Sequence, residues 1–334
     1  MTNLPEAIRT VRWMVRDTFR QSLHTKLFWI MLGLTAVCTV FAASLKITGG
    51  PVKQEGFDTY ALPKSEAAKH GGEEAVVKDG VQIVDGEISF GFGSVKSRLA
   101  KSKEDAVKLV QVWLAGFVGD SLGVLIALIW TAGFLPTFLE PHCATVLLSK
   151  PAPRWAILVG KYLGVVGFVA LQAVFFVGGT WLGLGIATGF WDGTYWLAVP
   201  LLVVNFGIFY SVSVFIAVAT RSTVAAAFGT LLFWLLCWVM NYTHHRTLAE
   251  PVAGMGPGAM YLLEVGYWFL PKPLDLGGLF FDLIGASGYF GQLPEMAAVK
   301  ANGQLHSEAS VGASAGFAVL TLGLAAYEFQ QADY

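Results

Sequence analysis

This chain has little charge. Asp, Glu, Lys and Arg make up 13% of its 334 residues, where soluble globular domains carry about 25%. Hydrophobic residues make up 55% and the mean hydropathy is +0.59. A water-soluble fold of this composition would expose large apolar patches, so a soluble globular domain is excluded. Net charge is −1, which leaves no electrostatic case for nucleic acid. Cysteine is also scarce. Cys38, Cys143 and Cys237 are too widely separated for a disulfide framework or a metal-ligand spacing. A phosphate-cradling loop is missing too: Gly160-Lys161 is followed by Tyr162 and preceded at the required spacing by Trp155. Ser, His and Asp are scattered, with no pattern that suggests catalysis.

What the chain does have is long apolar runs. A helix needs about 20 apolar residues to cross the hydrocarbon core of a bilayer. Runs at roughly 27–45, 113–135, 162–189, 196–219, 223–243 and 310–328 meet or approach that length. They predict an all-α integral membrane protein, one polytopic domain over 1–334 with about six transmembrane helices. Gly160, Gly164, Gly167, Gly178, Gly179, Gly183 and Gly185 suit close helix packing in lipid. Trp130, Trp181, Trp191, Trp196 and Trp238 fall mostly near span ends, where interfacial anchors belong. The first run follows a basic stretch of about 26 residues and is too long for a signal-peptide core, so it reads as a span.

Segment 1–26 carries two periodicities that agree. Leu4, Ile8, Val11, Val15 and Phe19 recur at helical spacing, and Arg9, Arg12, Arg16 and Arg20 line the neighbouring face. That pattern predicts a basic amphipathic helix in the membrane interface, with its arginines toward lipid phosphates. These arginines, with Lys26, Lys150, Arg154, Lys161 and Arg221, place both termini and the loop 139–161 in the cytoplasm of a bacterial-type cell, at its inner membrane. Two long connections, 46–111 and 244–309, then fall outside. The first has ten basic and ten acidic residues, and connections this long translocate largely regardless of charge. Its Asp79-Gly80 and Asp85-Gly86 turn signals predict a small β-hairpin within 75–92, and 97–114 a helix leading into the second span. In the second, Pro271 and Pro273 interrupt the apolar stretch 260–290, which favours interfacial or re-entrant helices over two further spans.

The loop FLEPHCATVLLSKPAPRWAILVGKYLG (138–164) contains a short apolar segment that must bury its face against this chain or a partner. Glu140, the run ATVLL, Ser149-Lys150-Pro151, Arg154 and Gly160-Lys161-Tyr162 follow in order. In this it resembles the loop between the second and third spans of ABC-type permeases of the export class, the type-2 permease family. That family includes the permease of the nitrous-oxide-reductase maturation system. The basic N-terminal helix, the six-span layout and the tail with Phe329 and Asp333 resemble the same family, with Gln330 and Gln331 where basic residues are usual.

The resemblance implies that 139–154 is a coupling element docking on a separate ATP-binding subunit. Glu140, Lys150 and Arg154 would make polar contacts, Leu147 and Leu148 would be apolar anchors, and Pro151 would stiffen the turn. It also implies a homodimer or heterodimer of permeases, with no cofactor on this chain and ATP on its partner.

Asp120 in the second span is open to two readings: a substrate or proton site facing the bundle, or a residue of the headgroup zone. Gln172 and Asn205 are expected to hydrogen-bond between helices. His244 and His245 could share a metal, but adjacent residues leaving a helix diverge and no ligand cluster adjoins them, so no metal site is predicted. The favoured function is the membrane-spanning subunit of an ATP-driven exporter, not an enzyme in itself. The alternatives are a membrane scaffold or sensor displaying 46–111, and an ion-coupled secondary transporter.

Overall fold

A computed structural model describes residues 4–48, 86–99, 103–138, 153–250, 256–284, 294–303 and 306–331. The chain enters through helix α1 (Leu4–His24), with Glu6 in its first turn and His24 in its last, where each complements the helix dipole. The axis bends by 70° around Thr25 into α2 (Lys26–Ala43), which covers most of the predicted first span 27–45.

Ser44 caps α2 and its hydroxyl accepts the Gly91 N–H at 3.2 Å. An antiparallel three-stranded sheet follows: β1 (Lys46–Thr48), β2 (Gly86–Phe90) and β3 (Val95–Leu99), in that order, with Ile47 opposite Ile88 and Ser89 opposite Lys96. The hairpin exists but lies later than its sequence signals. Gly86 opens β2, and the turn is Gly91-Phe92-Gly93-Ser94, with Gly91 at φ +59°, Phe92 at +56° and Gly93 at +95°. The flanking glycines adopt positive φ without a Cβ penalty. Residues 75–85 of the expected hairpin lie outside the described residues. Ile47 and Ile88 pack with Leu45, Val107, Leu114 and Leu184, so the sheet is seated on one end of the bundle, the sheet end.

The second span runs unbroken over Lys103–Pro136. It comprises α3 (Lys103–Val112), a π-helical segment (Trp113–Gly123) and α4 (Val124–Thr131), and leads into the short α5 (Phe134–Phe138). Helix α6 (Arg154–Thr188) starts after Pro153 and closes on Gly189 at φ +73°. At 1.5 Å per residue it is about 50 Å long, well beyond the hydrocarbon core. A 3₁₀ turn (Gly193–Leu197), capped by Asp192, opens α7 (Ala198–Thr220), and Ser222 caps α8 (Thr223–Ala249) by accepting the Ala225 N–H. Next come α9 (Pro257–Phe269), α10 (Pro273–Leu283) and α11 (Pro294–Ala301), and α12 (Ser307–Gln331) completes the bundle.

Helix α7 is the centre: 72% of its apolar window is buried, against 17% for α8, which forms a rim. Leu128, Trp130, Phe168, Phe206, Phe209 and Tyr210 make the core around α7. Lipid is as apolar as these side chains, so interior packing, not exclusion of water, holds them together.

The close-packing glycines do what their spacing suggests. A Cβ on Gly160 would lie 2.7 Å from Met14 Cβ, one on Gly164 2.7 Å from Thr18 Cβ, and one on Gly179 2.5 Å from Thr39 Oγ1. Helices α1 and α2 therefore lie along successive stretches of α6. The face of α1 that meets α6 includes Ala7, Met14, Thr18 and Ser22, all buried, while Ile8 is 61% exposed. Of the predicted apolar stripe, Val11 and Phe19 meet Gly160 and Gly167 of α6, while Ile8 points away from it.

Candidate functional site

Alternation of the spans brings four features to the end opposite the sheet: the two edges of the 139–152 connection, the α7–α8 turn at Arg221, and the last turn of α12. Glu140, Leu147, Leu148, Lys150 and Pro151 lie outside the described residues. Arg154 opens α6, and its guanidinium donates to the Gln330 carbonyl at 3.3 Å, tying the far edge of that connection to α12. Lys161 is 2% exposed and donates to Gln21 Oε1 at 2.6 Å, fastening α6 to α1. Tyr162 donates to the Gly207 carbonyl at 2.9 Å and stacks on Tyr210. The Gly-Lys-Tyr triplet is thus a helix-packing device in which the three residues face α1 or α7. Arg9, Arg12, Arg16 and Arg20 are all exposed along α1.

Asp120 sits inside the π segment, not beyond a helix end. Asn205 of α7 donates its amide to Asp120 Oδ1 at 2.6 Å. Backbone bonding here skips five residues, as in Val124 N–H to the Gly119 carbonyl. Such π geometry is rare and is enriched at functional sites. Of the two polar residues expected to bond between helices, Asn205 does so. Gln172 does not: neither its Oε1 nor its Nε2 has a partner, although the residue is 6% exposed.

A third polar centre joins α8, the α9–α10 break and α12. Asp275 is 2% exposed. Its Oδ1 lies 2.5 Å from His245 Nε2 and accepts from Asn241 Nδ2 at 3.0 Å. Its Oδ2 accepts from Tyr267 and from Ser310, each at 2.6 Å. Asn241 Oδ1 in turn accepts the Leu274 N–H at 2.9 Å, capping the start of α10. Lys272 lies over the Tyr267 ring, 4.9 Å from its centroid, and donates to the Leu270 carbonyl at 3.3 Å. At 13 and 11 residues, α9 and α10 are each too short to cross the core. The network closes their broken backbone against α8 and α12.

Burial alone would raise the Asp275 carboxyl. The hydrogen bonds from His245, Ser310 and Tyr267 outweigh burial and hold it at about 2. Burial pushes the Lys272 ammonium down, with Asp275 opposing, and pushes the Tyr267 phenol up, helped by the Asp275 charge.

The sequence reading named the two histidines but missed the carboxylate, tyrosine and serine that engage them. His245 uses Nε2 on Asp275, and His244 stacks on Tyr267 with centroids 3.7 Å apart. Among the described residues, no group of three or more His, Cys, Asp or Glu is arranged to hold a metal. The available signal was Asp275 itself, an acidic residue two positions after Pro273 in a largely apolar stretch that also carries Glu264, Lys272 and Asp282.

Apolar helices long enough to span a bilayer, together with a small sheet at one end, define a multi-pass α-helical membrane protein. The chain belongs to the ABC-2 family of transporter proteins, whose profile matches residues 12–334. No curated relative matches it. Membership makes this a permease-type membrane subunit of an ABC transporter, a class served by an ATP-binding partner.

Proposed function

We propose that this chain moves an amphipathic or lipidic substrate outward across a bacterial-type inner membrane, paired with a second permease and driven by separate ATP-binding subunits. The end with the 139–152 connection faces the cytoplasm, together with both termini. The observation that carries this reading is the convergence there of α1 with its four exposed arginines, Arg154 bonded to Gln330, and Lys161 bonded to Gln21. An ATPase pressing on 139–154 would act directly on α6, and through it on α1, α2 and α12. ATP binding then biases a two-state membrane element through rigid helices that are already clamped together. The resemblance of Glu140, Ser149-Lys150-Pro151, Arg154 and Gly160-Lys161-Tyr162 to the coupling loop of type-2 export permeases supports the loop as the docking element. Catalysis of hydrolysis rests on the partner, since the chain carries no phosphate-cradling motif.

The test is copurification. Glu140→Ala with Arg154→Ala is expected to lose the ATP-binding subunit from the purified complex and to abolish transport. Full assembly and full transport in that variant overturn the proposal.

A further inference from the structure

We infer that a cavity at mid-span, between α2, the second span, α6 and α7, binds a single-chain amphiphile whose head is small, polar and uncharged. The cavity measures about 70 Å³. Its walls include Met31 and Thr35 of α2, Trp130 of α4, Gln172 and Phe176 of α6, and Leu202 of α7.

Three buried polar atoms on these walls have no partner: Gln172 Oε1, Gln172 Nε2 and Trp130 Nε1. A buried polar atom without a partner costs about 1–3 kcal/mol. Here one amide, which both donates and accepts, and one indole, which only donates, line the same cavity. Together they offer a ligand two donors and one acceptor, the complement of a hydroxyl or a carboxamide.

Charge and size narrow the ligand further. Among the described residues no acidic or basic side chain lines the cavity, so an ionised head at this depth would meet the penalty for unpaired charge in a bilayer. A volume near 70 Å³ is about half that of a cavity of roughly 150 Å³ that holds a benzene ring. That admits a hydroxyl or amide and its first carbons, but not a phosphate-based head or a sugar. The ligand's tail has an exit along α2, where Leu34 lines the cavity and is 42% exposed. The floor is formed by the π segment, where a Cβ on Gly119 would come 3.2 Å from Phe176 Cε1. The ligand would therefore touch the stretch of helix that also carries Asp120. The claim that this ligand is moved rests on the transporter reading above; the claim that it binds does not.

The test uses the full chain with its ATP-binding subunit in phosphatidylcholine nanodiscs, probed with a diazirine-bearing oleamide. The expected result is saturable labelling of an α6 peptide containing Gln172, competed by unlabelled oleamide and not by oleate at neutral pH. Gln172→Leu removes both orphan amide atoms without leaving a void and is expected to keep the complex intact while cutting labelling at least fivefold. Ala127→Phe, which fills the cavity by volume alone, is expected to do the same. Labelling that is unsaturable and follows helix exposure, or unchanged in both variants, overturns the site. Stimulation of ATP hydrolysis is read separately. Saturable labelling with no stimulation keeps the site but removes its role in transport. Stimulation by other amphiphiles with no labelling of α6 keeps the transporter and removes the site.

Discussion

His245 on α8 and Asp275 on α10 meet at 2.5 Å, almost fully buried, across a sequence gap of thirty residues. This contact, with Asn241, Tyr267 and Ser310 on the same carboxylate, holds α9 and α10 against the bundle. It replaces interactions that water would otherwise supply to a broken helix pair. Removing one partner of such a buried pair leaves the others uncompensated and costs about 3–5 kcal/mol. Asp275→Ala is therefore expected to lower the thermal midpoint in detergent more than His245→Ala does. Unchanged melting of both variants would show that the network is idle.

Acid should act on the same carboxylate. Its folded value is about 2, below the ordinary value of 3.8, so it stabilises the fold above the unfolded value and loses that contribution as pH falls from about 4 to 2. Linkage gives a loss of about 2 kcal/mol over that window. The difference in stability between the wild type and Asp275→Asn should shrink over this window. A difference that is flat from pH 5 down to 2 contradicts the assignment.

Small residues are required where α1 crosses α6. A Cβ on Gly160 would meet Met14 Cβ at 2.7 Å, with the Val11 backbone also within reach, so the neighbours cannot simply rotate away. Gly160→Val is expected to cost about 1–3 kcal/mol by overpacking and to make α1 sensitive to protease. Gly312→Val on α12 has open space at the same probe position and serves as the neutral control.

Asp120 and Asn205 are coupled by a 2.6 Å hydrogen bond. A double-mutant cycle with Ala at both positions should return an interaction energy of about 0.5–3 kcal/mol. Strict additivity would mean that the pair does not act as a unit.

Much of this molecule was legible in the sequence because the bilayer demands length and apolarity together. The predicted spans 196–219 and 310–328 fall inside Gly193–Thr220 and Ser307–Gln331, and 162–189 overruns Arg154–Thr188 by one residue. Pro271 and Pro273 marked the α9–α10 break for the same reason, since a proline inside a helix removes a donor. What escaped the reading depends on distant partners or on subtle backbone choices. The π segment has no propensity signature. Glycines about 150 residues away on α6 add Met14 and Thr18 to the packing face of α1, beside Val11 and Phe19 of its own apolar stripe. Among the described residues the hairpin turns at Gly91 and Gly93, which carried no Asp-Gly signal. Gln172 looked like Asn205 in sequence, yet only Asn205 found a partner.

The four arginines of α1 should determine which way the chain is threaded. Each basic residue near an anionic surface contributes about 1 kcal/mol. Replacing Arg9, Arg12, Arg16 and Arg20 together by Gln is expected to produce a population of inverted chains. Uniform orientation in that variant would assign topology to Arg154, Lys161 and Arg221 instead.

The most direct measurement is the sidedness of the 139–152 connection. With Cys38, Cys143 and Cys237 replaced by Ala, Ser149→Cys is exposed to a membrane-impermeant maleimide in intact cells and again after permeabilisation. The account predicts protection in intact cells and full labelling once the membrane is opened. Labelling of intact cells would put the connection outside, beyond the reach of any ATP-binding subunit, and contradict the coupling role assigned to it.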